Sequence, residues 1–347
     1  MPRSLLLDDR HKQQDFFIAD IFDSTPFKDD MATMSYPTFT LSIKKDFRDL
    51  IYDDGVKSIK IQPNSNGLPT IFDKDVLLYC ASLLMAEYNK TGVCPPRTIR
   101  ISSHDLLVAT NRQTNDKGYT LLKNALKRLS GVSITTNIKT NGIEQTEGFG
   151  FVDSYRIVKS SRVKDRMVRL EITLSKWLYN SILGKEVLTI NRDYFRLRKP
   201  LERRIYELAR KHCGKDKSWK IGLDKLHFKT GSTAPERKFR YFINEIIKTQ
   251  HIPDYKLSMQ DDVVTFYSTA PLEAIDTDYV PDKSLIHDLR PDTLMKAKKM
   301  VETARLDFYA LVEDFVHYNS QKETDIENLD GLFIGFIKKK TKESTAL

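Results

Sequence analysis

The chain has 347 residues, 40% hydrophobic and 30% charged, with 56 Lys+Arg against 47 Asp+Glu and a formal net charge of +9. That composition suits two domains of ordinary size, or three small ones, and excludes wholesale disorder. No run approaches the ~18 apolar residues of a membrane-spanning helix, Met1–Asp9 lacks the apolar core of a secretory signal, and three scattered cysteines (Cys80, Cys94, Cys213) fit a reducing, cytoplasmic setting.

Residues 1–35 are polar and acidic with weak periodicity, and are expected to form a mobile tail or a short docking segment. Phe39–Ile43 and Ile59–Ile61 alternate apolar with polar and predict strands. From Phe72 to Tyr88 the residues Val76, Tyr79, Cys80, Leu83, Leu84 and Tyr88 fall at helical spacing, and Gly92 with Pro95-Pro96 ends that helix. A strand Thr98–Ile101 leads to a short helix opened by Ser102 or Ser103 and carrying Leu106, Leu107 and Ala109. The polar turn Asn111–Lys117 precedes a helix over Gly118–Ser130. The strand Val132–Ile138 is expected to turn at Thr140-Asn141-Gly142 into a second strand around Phe149–Ile157, with a third at Val168–Ile172. Helix, turn, helix and β-hairpin in that order predict a winged helix-turn-helix, whose second helix lies in the major groove.

The order then returns. Helical elements near Ser175–Leu183 and Tyr194 lead to a helix at Leu201–His212, a strand at Trp219–Ile221 and a short helix at Leu223–Phe228. Next come the turn Thr230–Ala234, the helix Pro235–Gln250 and a hairpin (Tyr255–Met259, Val263–Tyr267) around Gln260-Asp261-Asp262. Ile101–Leu106 aligns on Ile221–Leu226 with strand end and helix leucine in register, so the repeat is one of pattern. After Pro271 the chain turns acidic, and Leu294, Ala297, Val301, Ala304, Phe308, Leu311 and Phe315 form a seam expected to pack against the last helix through Leu329, Phe333, Phe336 and Ile337. The fold class is therefore α+β: a tail (1–35), two tandem winged helix-turn-helix domains (36–173 and 174–270) and a C-terminal helical segment (271–347).

Charge is unevenly spread. Residues 97–250 hold 33 of the 56 Lys+Arg and 15 of the 47 Asp+Glu, a net of +18. That is the footprint of a nucleic-acid binder, although a merely solvated basic surface gives the same count. On Pro235–Gln250 an apolar stripe (Phe239, Phe242, Ile243, Ile246, Ile247) leaves Glu236, Arg237, Lys238, Arg240, Tyr241 and Asn244 on or near the opposite face. Arg can pair with guanine and Glu can accept from cytosine. Ser232 and Thr233 precede the positive end of that helix and could cap it or hold a phosphate. In the first unit Lys123, Asn124, Lys127 and Arg128 point away from Leu122, Ala125, Leu126 and Leu129. Asn111, Arg112 and Gln113 lie in the preceding turn, as candidate base readers or as ordinary turn residues. Arg203, Arg204, Arg210 and Lys211 on the preceding long helix are expected to position phosphates or stay solvated.

Enzymatic signatures are missing. The seven histidines show no metal-ligand spacing and no GxxxxGK[ST] loop exists, so no metal or nucleotide cofactor is expected. Tyr119 and Lys123 have the YxxxK spacing of DNA-nicking tyrosines, but the His-x-His pair of such enzymes is absent and Tyr119 falls beside the apolar stripe. A nickase is the enzyme alternative; a winged-helix transcriptional regulator is the binding alternative.

The chain also resembles the plasmid replication initiator protein A family from about Tyr36 to Tyr267. The resemblance rests on Ile71–Asp75, Arg100–Leu107, Tyr119–Ile138, Trp177–Tyr179, Val187–Ile190, Asp193–Phe195, Leu201–His212 and Ile252–Leu257, with a further patch at Leu332–Lys338. It implies a non-enzymatic initiator that binds direct repeats of double-stranded DNA at an origin and recruits host initiator or helicase-loading proteins. A homodimer and repression of its own promoter are open within that reading. Residues 1–33 lie outside the resemblance, which makes Met34 a candidate in-frame start.

Overall fold

The computed structural model describes residues 6–11, 26–55, 57–142, 148–160, 166–213, 217–269, 289–304, 311–312, 315 and 328–345. The chain mixes helix and strand, with one large apolar core over the N-terminal three quarters and a second, small core near the C-terminus. Among the described residues no helix is long and apolar enough to cross a membrane.

The first departure from expectation comes early. Strand β1 (Phe27–Asp30) pairs antiparallel with β8 (Val187–Ile190), Phe27 opposite Ile190 and Asp30 opposite Val187. Helix α1 (Met31–Ser35) is next, its first turn capped by the Asp30 carboxylate, which accepts from the Thr33 N–H at 2.9 Å. Phe27, Met31 and Met34 are buried, and so are Lys28, Asp29 and Asp30. Residues 27–35 thus belong to the core and not to a mobile tail. Lys28 and Asp29 read as surface because their partners, Thr189 and Lys74, lie far away in sequence.

Strands β2 (Leu50–Asp53), β3 (Ser58–Gln62) and β5 (Ser133–Thr136) form a three-stranded sheet in that order. Phe39–Ile43 is not a strand: Thr40 makes an isolated bridge to Thr70, while the Phe39 ring stacks on Phe151 at 4.8 Å. Helix α2 (Lys74–Thr91) ends at Gly92, whose φ of 67° is left-handed. Then come β4 (Thr98–Ser102), α3 (Ser103–Ala109) and α4 (Asp116–Gly131). Ser102 and Asn115 cap the two helices through their side chains. The expected hairpin is displaced along the chain. β5 pairs with β3, and its link to the strand region around Phe149 is a single bridge from Ile134. The actual hairpin is β6 (Val152–Ser160) with β7 (Arg166–Leu174), and β4 completes its sheet in the order β4-β7-β6. Both arrangements bury Ile134; which strand receives it is a non-local choice.

Helix α5 (Lys176–Leu183) packs back on this unit, with buried Trp177 donating to the Ile138 carbonyl at 3.0 Å. After β8, a 3-10 turn (Arg192–Arg196) leads into α6 (Pro200–Cys213). The second repeat has the expected order: β9 (Ser218–Gly222), α7 (Leu223–Thr230), α8 (Glu236–Thr249), β10 (Tyr255–Gln260) and β11 (Val263–Ser268), with the sheet ordered β10-β11-β9. Asp261 and Asp262 both take positive φ, which closes a tight two-residue hairpin. Leu106 and Leu226, aligned by the repeat, are both fully buried.

Where β1, α2 and α6 meet, the core is charged. Lys74 Nζ lies 2.7 Å from Asp29 Oδ2 and 3.1 Å from Glu207 Oε1, none of these side chains more than 1% exposed. Tyr194 donates to Glu207 at 2.8 Å. Desolvation works against the Lys74 ammonium, but Asp29, Glu207 and Asp30 together hold it above its ordinary pKa. Desolvation lifts the Asp29 carboxyl well above its own ordinary value, against the pull of Lys74. Such a cluster is costly to break from one side, because the remaining charge has no water to return to.

Near the C-terminus, α9 (Pro291–Thr303) and α10 (Leu329–Thr345) close the second core. Ala297, Val301, Phe333 and Ile337 are buried, and the Phe315 ring sits 4.9 Å from Phe333 and 5.5 Å from Phe336. The predicted seam does pack against the last helix; Phe308 lies outside the described residues.

Candidate nucleic-acid interface

Helix α8 carries the clearest outward face. Phe239, Ile243 and Ile246 are buried, spaced to form one stripe. Glu236, Arg237, Lys238, Tyr241, Asn244 and Lys248 are exposed on the remaining surface, with Thr233 exposed just ahead of the helix. Ser232 is half-buried and its hydroxyl accepts from the Ala234 N–H at 3.3 Å, which shapes the turn. No side chain caps the first turn at Pro235. Arg240 differs from its neighbours. Its guanidinium bridges Asp262 of the β10–β11 turn (3.0 Å from Nη2 to Oδ2) and Glu236 one helical turn back (3.1 Å). The expected base reader is engaged as a clasp between helix and hairpin, its charge balanced by two carboxylates.

In the first unit Gly118 sets the angle between α3 and α4. A Cβ there would stand 1.7 Å from the Gln113 carbonyl oxygen, so only glycine allows this approach. On α4, Lys123 is exposed, Asn124 and Lys127 are half-buried, and Gln113 in the turn is exposed. Two expected contacts face inward instead. Arg128 makes a two-pronged pair with Asp73 at 2.7 and 2.8 Å, and Arg112 pairs with Asp75 at 3.0 Å while donating to the Phe72 carbonyl. Both tie the second helix or its turn to the start of α2. Asn111 adopts φ 53°, a left-handed conformation that asparagine tolerates, and its amide is engaged by residues 8–10.

The arginines of α6 correct the phosphate expectation outright. Arg203 is buried, pairs with Asp75 at 2.6 Å and lies over the Phe72 and Tyr194 rings at 4.5 and 4.9 Å. Arg204 is buried and donates to the carbonyls of Thr33 (3.1 Å), Met34 (2.9 Å) and Lys229 (2.9 Å) as well as to Glu207 (3.0 Å). Buried Arg210 donates to the Thr189 carbonyl at 2.5 Å. These guanidiniums satisfy backbone acceptors between elements, a task suited to a rigid, planar fork of donors. Only Lys211 of that set is part-exposed.

Displacement of the first hairpin brings forward cations that the periodicity missed. Arg100 on β4 and Arg156 on β6 flank Glu171 of β7, at 3.2 and 4.0 Å, with the two arginine side chains 79% and 76% exposed. Arg169 and Lys159 are exposed on the same sheet. The signal was present in the alternation of Arg169, Glu171 and Thr173 against Leu170, Ile172 and Leu174. Tyr119 is buried, its hydroxyl 3.5 Å from His104 Nδ1, which agrees with a packing role. Among the described residues no group of His, Cys, Asp and Glu is disposed to hold a metal ion.

Two crystal structures of domains 2 and 3 of RctB align at 11% identity. One, of selenomethionine derivatives, covers 69% of this chain and 96% of its own with a TM-score of 0.49; the other covers 71% and 99% with a TM-score of 0.48. A protein of Wigglesworthia glossinidia brevipalpis named "Putative replication protein" is 36% identical over 267 residues, 76% of this chain and 97% of its own length. The model of the family described as Replication initiator protein A matches residues 28–257, from within β1 to within β10. The match thus takes in the first repeat, the strand that stitches the N-terminus to it and the second repeat as far as the start of its hairpin, and the chain belongs to the replication initiator protein A family.

Proposed function

We propose that this protein starts replication of a plasmid or secondary replicon by binding direct repeats of double-stranded DNA at an origin, and that it then recruits host initiator or helicase-loading proteins. In this reading each repeat is a winged helix-turn-helix, α4 and α8 are the groove-entering helices, and the sheets β4-β7-β6 and β10-β11-β9 flank them. One observation carries the reading: α8 buries a single stripe and leaves Arg237, Lys238, Tyr241, Asn244 and Lys248 exposed along its length. Arg237 and Asn244 have the donor geometry for guanine and adenine edges, while Lys238 and Lys248 suit phosphate. Lys123, Gln113 and the exposed arginines of β4, β6 and β7 supply the same chemistry in the first unit. Membership of the family supports the replication role. No catalytic step is assigned: the protein acts in the cytoplasm as a binder, as a monomer or a homodimer, and repression of its own promoter is compatible with the same contacts.

The test is binding to the direct repeats flanking the gene, spaced by about one helical turn or multiples of it. Preference for a repeat over its scrambled counterpart by about a thousandfold or more is expected. Equal affinity for both at physiological salt refutes the reading.

A further inference from the structure

Residues 6–11 lie outside the family match, yet they are docked on the molecule at the turn ahead of α4. Leu7 and Arg196 exchange two bonds: the Leu7 N–H donates to the Arg196 carbonyl at 2.9 Å, and Arg196 Nε donates to the Leu7 carbonyl at 2.7 Å. Asn111 holds the segment from the other side. Its amide nitrogen donates to the Asp8 carbonyl at 3.2 Å and its amide oxygen accepts from the Arg10 N–H at 2.9 Å. His11 Nε2 lies 2.7 Å from the Arg112 carbonyl oxygen. The segment therefore spans from the link between the two units to the turn of the first.

We propose that residues 6–11 form an autoinhibitory strap, which covers the Asn111–Arg112 turn in the free chain and is displaced when the first unit takes up duplex DNA. The proposal rests on the DNA-binding reading above. Strap and DNA compete for one place, because the turn and the start of the groove-entering helix are where such a unit meets the duplex. The strap occupies both ends of the Asn111 amide and lays Asp8, Asp9 and Arg10 over the turn, so duplex DNA cannot reach the turn while the strap is in place. The dock is also built to open. A cavity of about 360 Å³, lined by Leu7 and Arg10 together with Phe72, Arg112, Gln113 and Leu121, lies beneath the strap, so Leu6 is its one apolar anchor on the core and backbone and amide bonds supply the rest.

The experiment uses the full chain, the chain lacking residues 2–11 and the Arg196→Ala chain, which loosens the strap from the far side of the turn. Each is titrated onto a random 30-base-pair duplex and onto the cognate repeat across a salt series. Deletion should tighten binding by roughly fivefold or more and steepen the salt slope by about one to two, with Arg196→Ala moving both the same way but less. Amide hydrogen exchange over 111–117 should quicken in both variants. Unchanged or weaker binding after deletion, with exchange over 111–117 unaltered, overturns the strap. Arg237→Ala, made in both the parent and the deleted chain, reports on the underlying reading: if it has no effect in either, that reading fails, whatever the strap does.

Discussion

Replacing Lys74 by methionine keeps the volume of the side chain and removes the ammonium from the charged core. Glu207 retains Arg204 at 3.0 Å and the Tyr194 hydroxyl at 2.8 Å, but Asp29 loses the cation 2.7 Å away. An unpartnered carboxylate at that depth takes up a proton. Neutralising an acid with an ordinary value of 3.8 costs about 1.4 kcal/mol per pH unit above it, so about 4.4 kcal/mol at pH 7. Burial already lifts Asp29 in the parent, so part of that cost is present there, and the expected loss for Lys74→Met is about 2–4 kcal/mol. The pH dependence has a definite sign. Raising the folded-state value of an acid gives a penalty that is largest at high pH and vanishes as pH falls to the unfolded value. Urea unfolding at pH 7.5, 6 and 5 should therefore show the gap between parent and Lys74→Met closing toward acid, and Asp29→Asn added to Lys74→Met should recover most of it. A gap that is constant with pH, or a double variant no better than the single one, refutes the account of Asp29.

Three further outcomes concern the surface. Arg237→Ala should cost about 1–3 kcal/mol on the cognate repeat and little on a scrambled one, measured by anisotropy across a salt series; equal losses on both DNAs would make Arg237 a phosphate contact. Asp262→Asn should release Arg240 from the hairpin turn, tightening binding to random duplex and steepening its salt slope by about one; an unchanged slope would mean that Arg240 stays out of reach of DNA. Deleting residues 271–347, which hold 11 Lys+Arg against 15 Asp+Glu, should leave duplex affinity intact while abolishing replication from the origin; lost affinity in a chain still folded by circular dichroism would assign DNA contacts to that segment.

What the sequence disclosed was local. The apolar spacings of α2, α4 and α8 have helical period, and the second hairpin is closed by a two-residue turn, so each is decided within a dozen residues. The first hairpin was misplaced because β5 had two partners of equal pattern, and only the distant strand β3 decides between them. The same distance hid the buried cations. Arg203 finds Asp75 across 128 positions and Arg204 finds Thr33 across 171. A hydropathy pattern places any arginine on the surface, since burial becomes tolerable only with a partner that no window contains. Arg128 was placed outward for the same reason, because the face of α4 is legible but not that Asp73 waits beside it, while Arg112, left open between base reader and turn residue, takes the second role through Asp75. The exposed face of α8 was legible because that helix borders few other elements, and the exception, Arg240, is taken by the hairpin next in the chain.

The pairing of β1 with β8 has a bearing on how the protein is made. Asp30 leaves the ribosome more than 150 residues ahead of its partner Val187. At about 5–20 residues per second, Phe27–Asp30 then waits roughly ten to thirty seconds for a strand to join. For that interval the nascent first unit presents an open strand edge, its backbone donors and acceptors unpaired and its Lys28, Asp29 and Asp30 side chains still in reach of water, to whatever chaperone attends the exit tunnel. Lys74 meanwhile has Asp29 within the same nascent unit but cannot meet Glu207, so the charged core is completed only once α6 has been synthesised. A nascent chain that has emerged from the tunnel to a point between Ile190 and Glu207 would hold a strand already paired over a lysine still short of its second carboxylate.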